Sequence, residues 1–311
     1  MGVPFRIILY SADETAANHA AATAFDRVEG LDRKLSDYDP HSELRELCLT
    51  AGLGRAIKVS DDLYRVLRRS LDLSRRSNGA FDVTVGPLVR LWRRARRNGK
   101  FPDARRLAAA RQAVGYQYVR LEDSPHRVEL LKADMRLDLG GIAKGYAVDA
   151  ALKVLRDHGV AVALVDAGGD MAAGDPPPGS DGWRVGIAPL DRPDAAPSRF
   201  LRLAHGAVAT SGDAFQFVEI GGVRYSHIVD PHTGVGLTDR SSVTIVARNC
   251  TTADGLASAV SVLGPHDGLR LVDATDAAAA LIVRREGGRL ATFTSKRWKT
   301  LAIEPTAARA P

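Results

Sequence analysis

A single α+β domain, with mixed and antiparallel sheets flanked by helices, is what the sequence predicts. Three observations point to it. Segments of helical period and of strand period are interspersed along the whole chain. No repeat period or break in composition divides it. The 311 residues, 45% of them hydrophobic and 26% charged, suffice for a large core. The domain is predicted over residues 1–305, and PTAARAP closes the chain with a disordered tail at 306–311.

Residues 3–10 alternate as a strand does, and 14–35 carry Ala21, Phe25, Val28, Leu31 and Leu35 at helical spacing. After the loop SDYDPHSE, Ser60 caps a helix that turns Leu63, Val66, Leu67 and Leu71 inward and stops at Asn78-Gly79. GAFDVTVGPLVRLW opens a new element. Over 117–139 the runs YQYVRLE, HRVELL and RLDLG, separated by turn residues, predict an antiparallel meander. LDLGGIAKGYAVDAALKVLRDHGVAVALVDAGGD then reads as strand, Gly-Gly turn, helix, Gly159 cap and strand. Ile142, Tyr146, Ala147, Ala150, Val154 and Leu155 share one face of that helix. Proline and glycine between 174 and 198 predict loops around the strand WRVGIAP. Strands FLRLAHGAVAT, FQFVEI, VRYSHIVD and SSVTIVAR follow. The helix TTADGLASAVSVLG, a further helix and strand ending in AALIVRR, and a hairpin complete the order.

A formal charge of +6 permits anionic partners without choosing among them. Much of the excess sits in LVRLWRRARRNGKF, where Arg90, Arg93, Arg94, Arg96, Arg97 and Lys100 surround Leu88, Leu91 and Trp92. The expected form is an amphipathic helix with a solvated basic face, with a membrane-surface or acidic-partner patch as the minor alternative. No nucleic-acid module is recognisable. Cys48 and Cys250 are too few for a disulfide framework and are expected as packed thiols. No stretch approaches the roughly 18 apolar residues of a membrane span. The start, MGVPFRIILYSADETAAN, has neither the basic opening nor the long apolar run of a signal peptide.

Three segments carry chemistry. In DLGGIAKG, Asp138 to Gly145, glycines at a turn into a helix let backbone amides approach an anion, and Lys144 adds a mobile positive charge suited to a pyrophosphate. The segment is neither GxGxxG nor GxxxxGK[ST], and a plain tight turn would use the same residues. In TTADGLASAV, Asp254 and Ser258 stand four apart on one helical face, so their oxygens can meet at a hard cation such as Mg²⁺. Asp254 equally suits a cap in the first turn. In YSHIVDPHTG, His227 can act as acid or base near neutrality, or serve as a structural strand histidine.

These segments, in this order, resemble the FAD:protein FMN transferase family, often labelled thiamine-biosynthesis lipoproteins. The likeness runs through MGVPF, LSDYDPHSEL, NGAFDVTVGPLVRLW, LDLGGIAKGYAVD, ALVDAGGD, ATSGD, HIVDPHTG and TTADGLASAVSVLG, nearly the whole chain. It implies an FAD cleft between subregions of the domain. It also implies a Mg²⁺-dependent reaction in which a threonine or serine hydroxyl of an acceptor protein attacks the FMN phosphorus of FAD and AMP departs. FAD contacts carried over by motif are Met1, Tyr38, Ala80, Phe81, Asp82, Asp138, Lys144 and Ile228. The implied metal ligands are the Gly141 carbonyl and the side chains of Asp254 and Ser258. His227, Asp254 and Lys144 are the implied catalytic residues.

The chain departs from the family pattern at four places. Ser258 replaces threonine, Cys48 replaces asparagine, His232 replaces arginine in DPxTG, and Ala214 follows ATSGD where an aromatic is usual. The family commonly acts outside the cytoplasmic membrane, so the resemblance implies the periplasmic face of the inner membrane. The start of this sequence leaves the cytoplasm as the alternative. Two other activities use the same residues: hydrolysis of FAD to FMN and AMP, and FAD binding without catalysis.

Overall fold

The structure, a computed structural model, describes residues 2–190, 196–197, 199–212 and 216–305. Met1, Ala214, part of the proline-rich loops (191–195 and 198) and the tail 306–311 lie outside the described residues. In chain order the elements are β1 (Phe5–Leu9), α1 (Glu14–Leu35), α2 (Glu43–Cys48), β2 (Ile57–Lys58), α3 (Asp61–Arg76), α4 (Gly86–Asn98) and α5 (Ala104–Gln112). There follow β3 (Val119–Asp123), β4 (His126–Leu130), α6 (Ala143–Asp157), β5 (Ala163–Ala167), β6 (Asp170–Ala173), β7 (Trp183–Ile187), β8 (Arg199–Leu203) and β9 (Gly206–Gly212). The last are β10 (Phe217–Ile220), β11 (Val223–Ser226), β12 (Ser241–Ala247), α7 (Cys250–Asp273), β13 (Ala279–Glu286), β14 (Arg289–Thr294) and β15 (Ile303–Pro305).

A seven-stranded sheet in the order β1-β5-β6-β9-β12-β13-β14 organises the molecule, and its pairings are antiparallel. Successive strand residues face opposite sides, and over the central strands both sides are covered. On β13, Ala280 and Ile282 join the core beneath the helices, while Ala279 and Leu281 join Trp183, Leu201 and Trp298 under the small sheet β15-β8-β7. The result is three layers: small sheet, large sheet, helices. No helix of the described residues is long and apolar enough to cross a membrane.

The helical layer places the site. Helix α1 packs on α6 through Ala20, Ala24 and Val28 against Val148, Ala151 and Leu152. Phe25, expected inward, is 42% exposed, and Ala21 is half-buried. Small residues one position away let the two helices approach closely, and each residue step turns the stripe by about 100°. Asp62 ties three helices together. It accepts from Arg27 (2.9 Å) and Lys34 (2.7 Å) of α1 and from the Tyr146 hydroxyl of α6 (2.9 Å). The α3 reading holds in detail, with Ser60 accepting from the Leu63 amide and Leu63, Val66, Leu67 and Leu71 buried.

Helix α7 is kinked at Gly264 (φ 72°) and Pro265, where the sequence separates two helices. Its first amides are capped twice: by Asn249, and from α6 by Asp149, which accepts from the amides of Cys250 (2.7 Å) and Thr251 (2.8 Å). Gly145 sets the approach of α6 to α7. A Cβ there would overlap the Cys250 carbonyl oxygen and lie 2.9 Å from the Asp254 Cβ.

The predicted meander is corrected in one strand. β3 and β4 pair as expected, but RLDLG forms only a bridge from Arg136 to Val85, and the third strand is the distant β2 beside β4. FLRLAHGAVAT divides into β8 and β9, which belong to different sheets. Both cysteines are buried and free; the Cys48 sulfur accepts from the Leu137 amide at 3.2 Å.

Candidate active site

A cleft of about 480 Å³ opens between the end of α1, the loop after α3, α4, the turn into α6, β9, the 225–231 segment and α7. Tyr38, Ala80, Phe81, Asp82, Asp138, Gly141, Lys144, His227, Ile228, Asp254 and Ser258 all line it. Met1 lies outside the described residues, and its neighbours Gly2 and Val3 reach the cleft.

The base of the cleft is the DLGGIAKG turn. Asp138 folds it by accepting from the Gly140 amide (2.8 Å), and α6 then starts without a side-chain cap. The positive end of the helix dipole therefore favours acceptors there, although of its first amides that of Ala143 already donates to the Leu139 carbonyl at 2.8 Å. The Asp254 carboxylate takes another, accepting from the Gly145 amide at 3.0 Å. Since Asn249 caps α7, Asp254 is not its cap. Gly141 abuts Ser258 so closely that a Cβ would sit 2.6 Å from the serine Oγ, so a larger residue would displace that hydroxyl.

Three charges meet behind this turn. The Lys144 ammonium is in contact with Asp170 and lies 3.7 Å from Asp254 Oδ1. Burial opposes charge on Lys144, but Asp254 and Asp170 outweigh it and hold its pKa above the ordinary value. Burial, with the neighbouring Asp254 charge, pushes Asp170 up to about 7 despite the lysine. Burial also raises Asp254, against the pull of Lys144 and the Gly145 amide. Asp170 ends the motif ALVDAGGD, so the signal was present in the sequence; its task was not.

Arg93 also lines the cleft. Its guanidinium bridges Asp37 and Asp138 (2.9 Å to the latter) and lies over the Tyr38 ring, 4.1 Å from the centroid. The solvated basic face expected of α4 is thus corrected at Arg93; Arg96 stays exposed, though it lines the cleft and donates to Gln216. The remaining pattern holds, with Leu88 and Trp92 buried and Arg90, Arg94 and Arg97 exposed. Burial and the nearby Asp37 raise the Asp138 pKa, and Arg93 counters them. Tyr38 is 72% exposed at the mouth, an aromatic face available to a planar ring.

Asp82 is committed to its own loop. It accepts from the amide and hydroxyl of Thr84 (2.8 and 2.7 Å) and from the Tyr116 amide (2.8 Å), and burial raises its pKa in spite of those bonds. Ala80 and Phe81 are buried beside it.

His227 sits on the far rim, its Nδ1 3.1 Å from the Gln216 carbonyl oxygen. A carbonyl only accepts, so the neutral ring carries its proton on Nδ1 and Nε2 is the basic nitrogen. The turn after it is self-supporting: Asp230 accepts from the His232 amide (2.8 Å) and the Thr233 hydroxyl (3.0 Å). His232 Nε2 faces the Asn78 carbonyl at 2.9 Å, fastening this turn to the end of α3.

The donor set suits a hard cation. No group of three His, Cys, Asp or Glu able to hold a metal occurs among the described residues. Asp254 and Ser258 offer a carboxylate and a hydroxyl on the cleft-lining face of α7, with Gly141 against Ser258, and Mg²⁺ characteristically takes few protein oxygens and completes its shell with water and phosphate. Ser258 is also unlike its helical neighbours. Ser261, Ser70 and Ser74 spend their hydroxyls on the carbonyl four residues back, whereas no such bond ties Ser258 among the described residues.

Comparison with known proteins places the chain in a family. Residues 1–282 match the sequence model of the ApbE family. A FAD:protein FMN transferase of Klebsiella pneumoniae is 31% identical over 309 residues, covering 97% of this chain and 87% of the relative. One of Treponema pallidum is 35% identical over 279 residues, covering 85% and 77%. The flavin transferase ApbE of Vibrio cholerae superposes with a TM-score of 0.84 at 27% identity, over 97% of this chain and 96% of that one. The ApbE protein of Thermotoga maritima gives 0.85 at 32% identity, over 96% of each. The chain belongs to the ApbE family.

Proposed function

We propose that this protein is a FAD:protein FMN transferase that moves FMN from FAD to a threonine or serine hydroxyl of an acceptor protein and releases AMP. The observation that carries the reading is the meeting of Gly141 with Ser258, and of Asp254 with Lys144 and the Gly145 amide, at the start of α6, with His227 lining the same cleft. Asp254, Ser258 and the Gly141 carbonyl would hold Mg²⁺, which supplies positive charge to a pyrophosphate when bound. Lys144 adds a second positive charge, and the positive end of the α6 dipole favours the anion. Tyr38 and the Phe81 wall provide apolar faces for the rings of FAD.

In the reaction so read, His227 Nε2 takes the proton of the acceptor hydroxyl as its oxygen bonds to the FMN phosphorus. The bond from that phosphorus to the bridging oxygen breaks, and AMP leaves with the electron pair. The test is to incubate the protein with FAD and Mg²⁺, with and without a threonine-bearing acceptor peptide, and to follow AMP and acceptor mass. AMP formation matched by acceptor-bound FMN is expected, and Asp254→Ala should abolish both. AMP with free FMN alone would make the protein a hydrolase, and persistence of intact FAD would make it a binding protein.

A further inference from the structure

The reaction as proposed leaves Asp170 without a task, although it lies against the cleft's central charges. It sits on β6, is 2% exposed, and is absent from the cleft wall that Lys144, Asp254 and Ser258 form. Its carboxylate contacts one atom of that machinery, the Lys144 ammonium. Asp254 has two oxygens. Oδ2 accepts from the Gly145 amide, while Oδ1 faces Lys144 at 3.7 Å, beyond hydrogen-bonding distance. An ammonium on a flexible four-carbon stem closes such a gap readily unless something else holds it, since a charge-assisted bond forms at about 2.8 Å. Once closed, that contact would occupy the Asp254 oxygen that the amide leaves available.

We infer that Asp170 is a positioning residue: it holds the Lys144 ammonium off Asp254, so that Oδ1 stays available to a divalent cation while the ammonium faces the cleft. The inference rests on the metal assignment made above and deepens it, because it gives the lysine and the metal separate carboxylates. It explains why two buried aspartates flank one lysine. A single aspartate would have to choose between them.

The experiment is a titration of the full chain with Mn²⁺, a paramagnetic substitute for Mg²⁺, with ADP present as a pyrophosphate that cannot transfer FMN; free Mn²⁺ is read by its EPR signal. Asp170→Asn should weaken Mn²⁺ binding by about tenfold or more, within the range seen when groups behind metal ligands are removed. Asp170→Glu, which keeps a carboxylate for the ammonium, should stay within about threefold of the unsubstituted protein. Removing the competitor should undo the loss: Lys144→Met/Asp170→Asn should bind within about threefold of Lys144→Met. A merely structural aspartate would not be rescued by deleting the lysine. Unchanged binding in Asp170→Asn, or a double variant as much weaker than Lys144→Met as Asp170→Asn is weaker than the unsubstituted protein, would overturn the inference and leave the metal assignment standing. Failure of the unsubstituted protein to bind Mn²⁺ would overturn both.

Discussion

The role proposed for His227 starts from its contact with the Gln216 carbonyl. With Nδ1 turned to the Gln216 carbonyl, only Nε2 can accept a proton from a hydroxyl in the cleft. His227→Ala should therefore lower transfer to the acceptor by roughly 10²- to 10⁴-fold, the usual worth of general-base catalysis, while FAD binding measured by flavin fluorescence changes little. Loss of FAD binding in proportion would assign the histidine to the substrate instead. At this scale the sequence was informative where a single helix did the placing. Asp254 and Ser258 stand four apart on α7, and helical geometry alone brings them together. It was silent where placement required two elements to meet. Arg93 reads as one more arginine on a basic helix, and nothing local reveals that α4 turns it toward Asp37 and Asp138. Asp170 is likewise ordinary until β6 and α6 come together.

Between elements, Gly145 is the point at which α6 and α7 touch. Any side chain there meets the Cys250 carbonyl and the Asp254 Cβ, so Gly145→Ala should separate the helices and move Lys144 from Asp254. A loss of about 1–3 kcal/mol in stability is expected from the overpacking, with weaker metal binding alongside; thermal unfolding and the Mn²⁺ titration measure the two effects. The joint of α1, α3 and α6 at Asp62 predicts a pH dependence. Burial favours its neutral form, but hydrogen bonds from Arg27, Lys34 and Tyr146 prevail and hold its pKa well below the ordinary carboxylate value. Its contribution is thus present above the unfolded value of about 3.9 and is lost as pH falls toward the folded one. Melting temperatures between about pH 6 and about pH 2 should show Asp62→Asn well below the unsubstituted protein at the neutral end, with the difference shrinking under acid. A constant gap would remove Asp62 from the acid response. Helices α1 and α3 were legible because caps and apolar stripes are local signals. The third strand of the β2-β4-β3 sheet was not, because its partner lies far off in sequence and contributes two residues.

Across the whole molecule, the central strands of the seven-stranded sheet are buried on both faces, and the cleft forms where the helical layer meets the ends of β9 and the 225–231 segment. That arrangement joins turns from separate parts of the chain into one site. The α+β class could be read from interspersed periods, whereas the three-layer order could not, since alternating strand residues do not say which neighbour covers which face. The central claim is that the site passes FMN to a protein hydroxyl rather than to water. Its most direct test is the ratio of acceptor-bound FMN to AMP, measured by intact acceptor mass and nucleotide chromatography in one reaction with FAD, Mg²⁺ and a threonine-bearing acceptor. The account predicts equal amounts, and neither product with Asp254→Ala. AMP accompanied only by free FMN, on an unmodified acceptor, would contradict it.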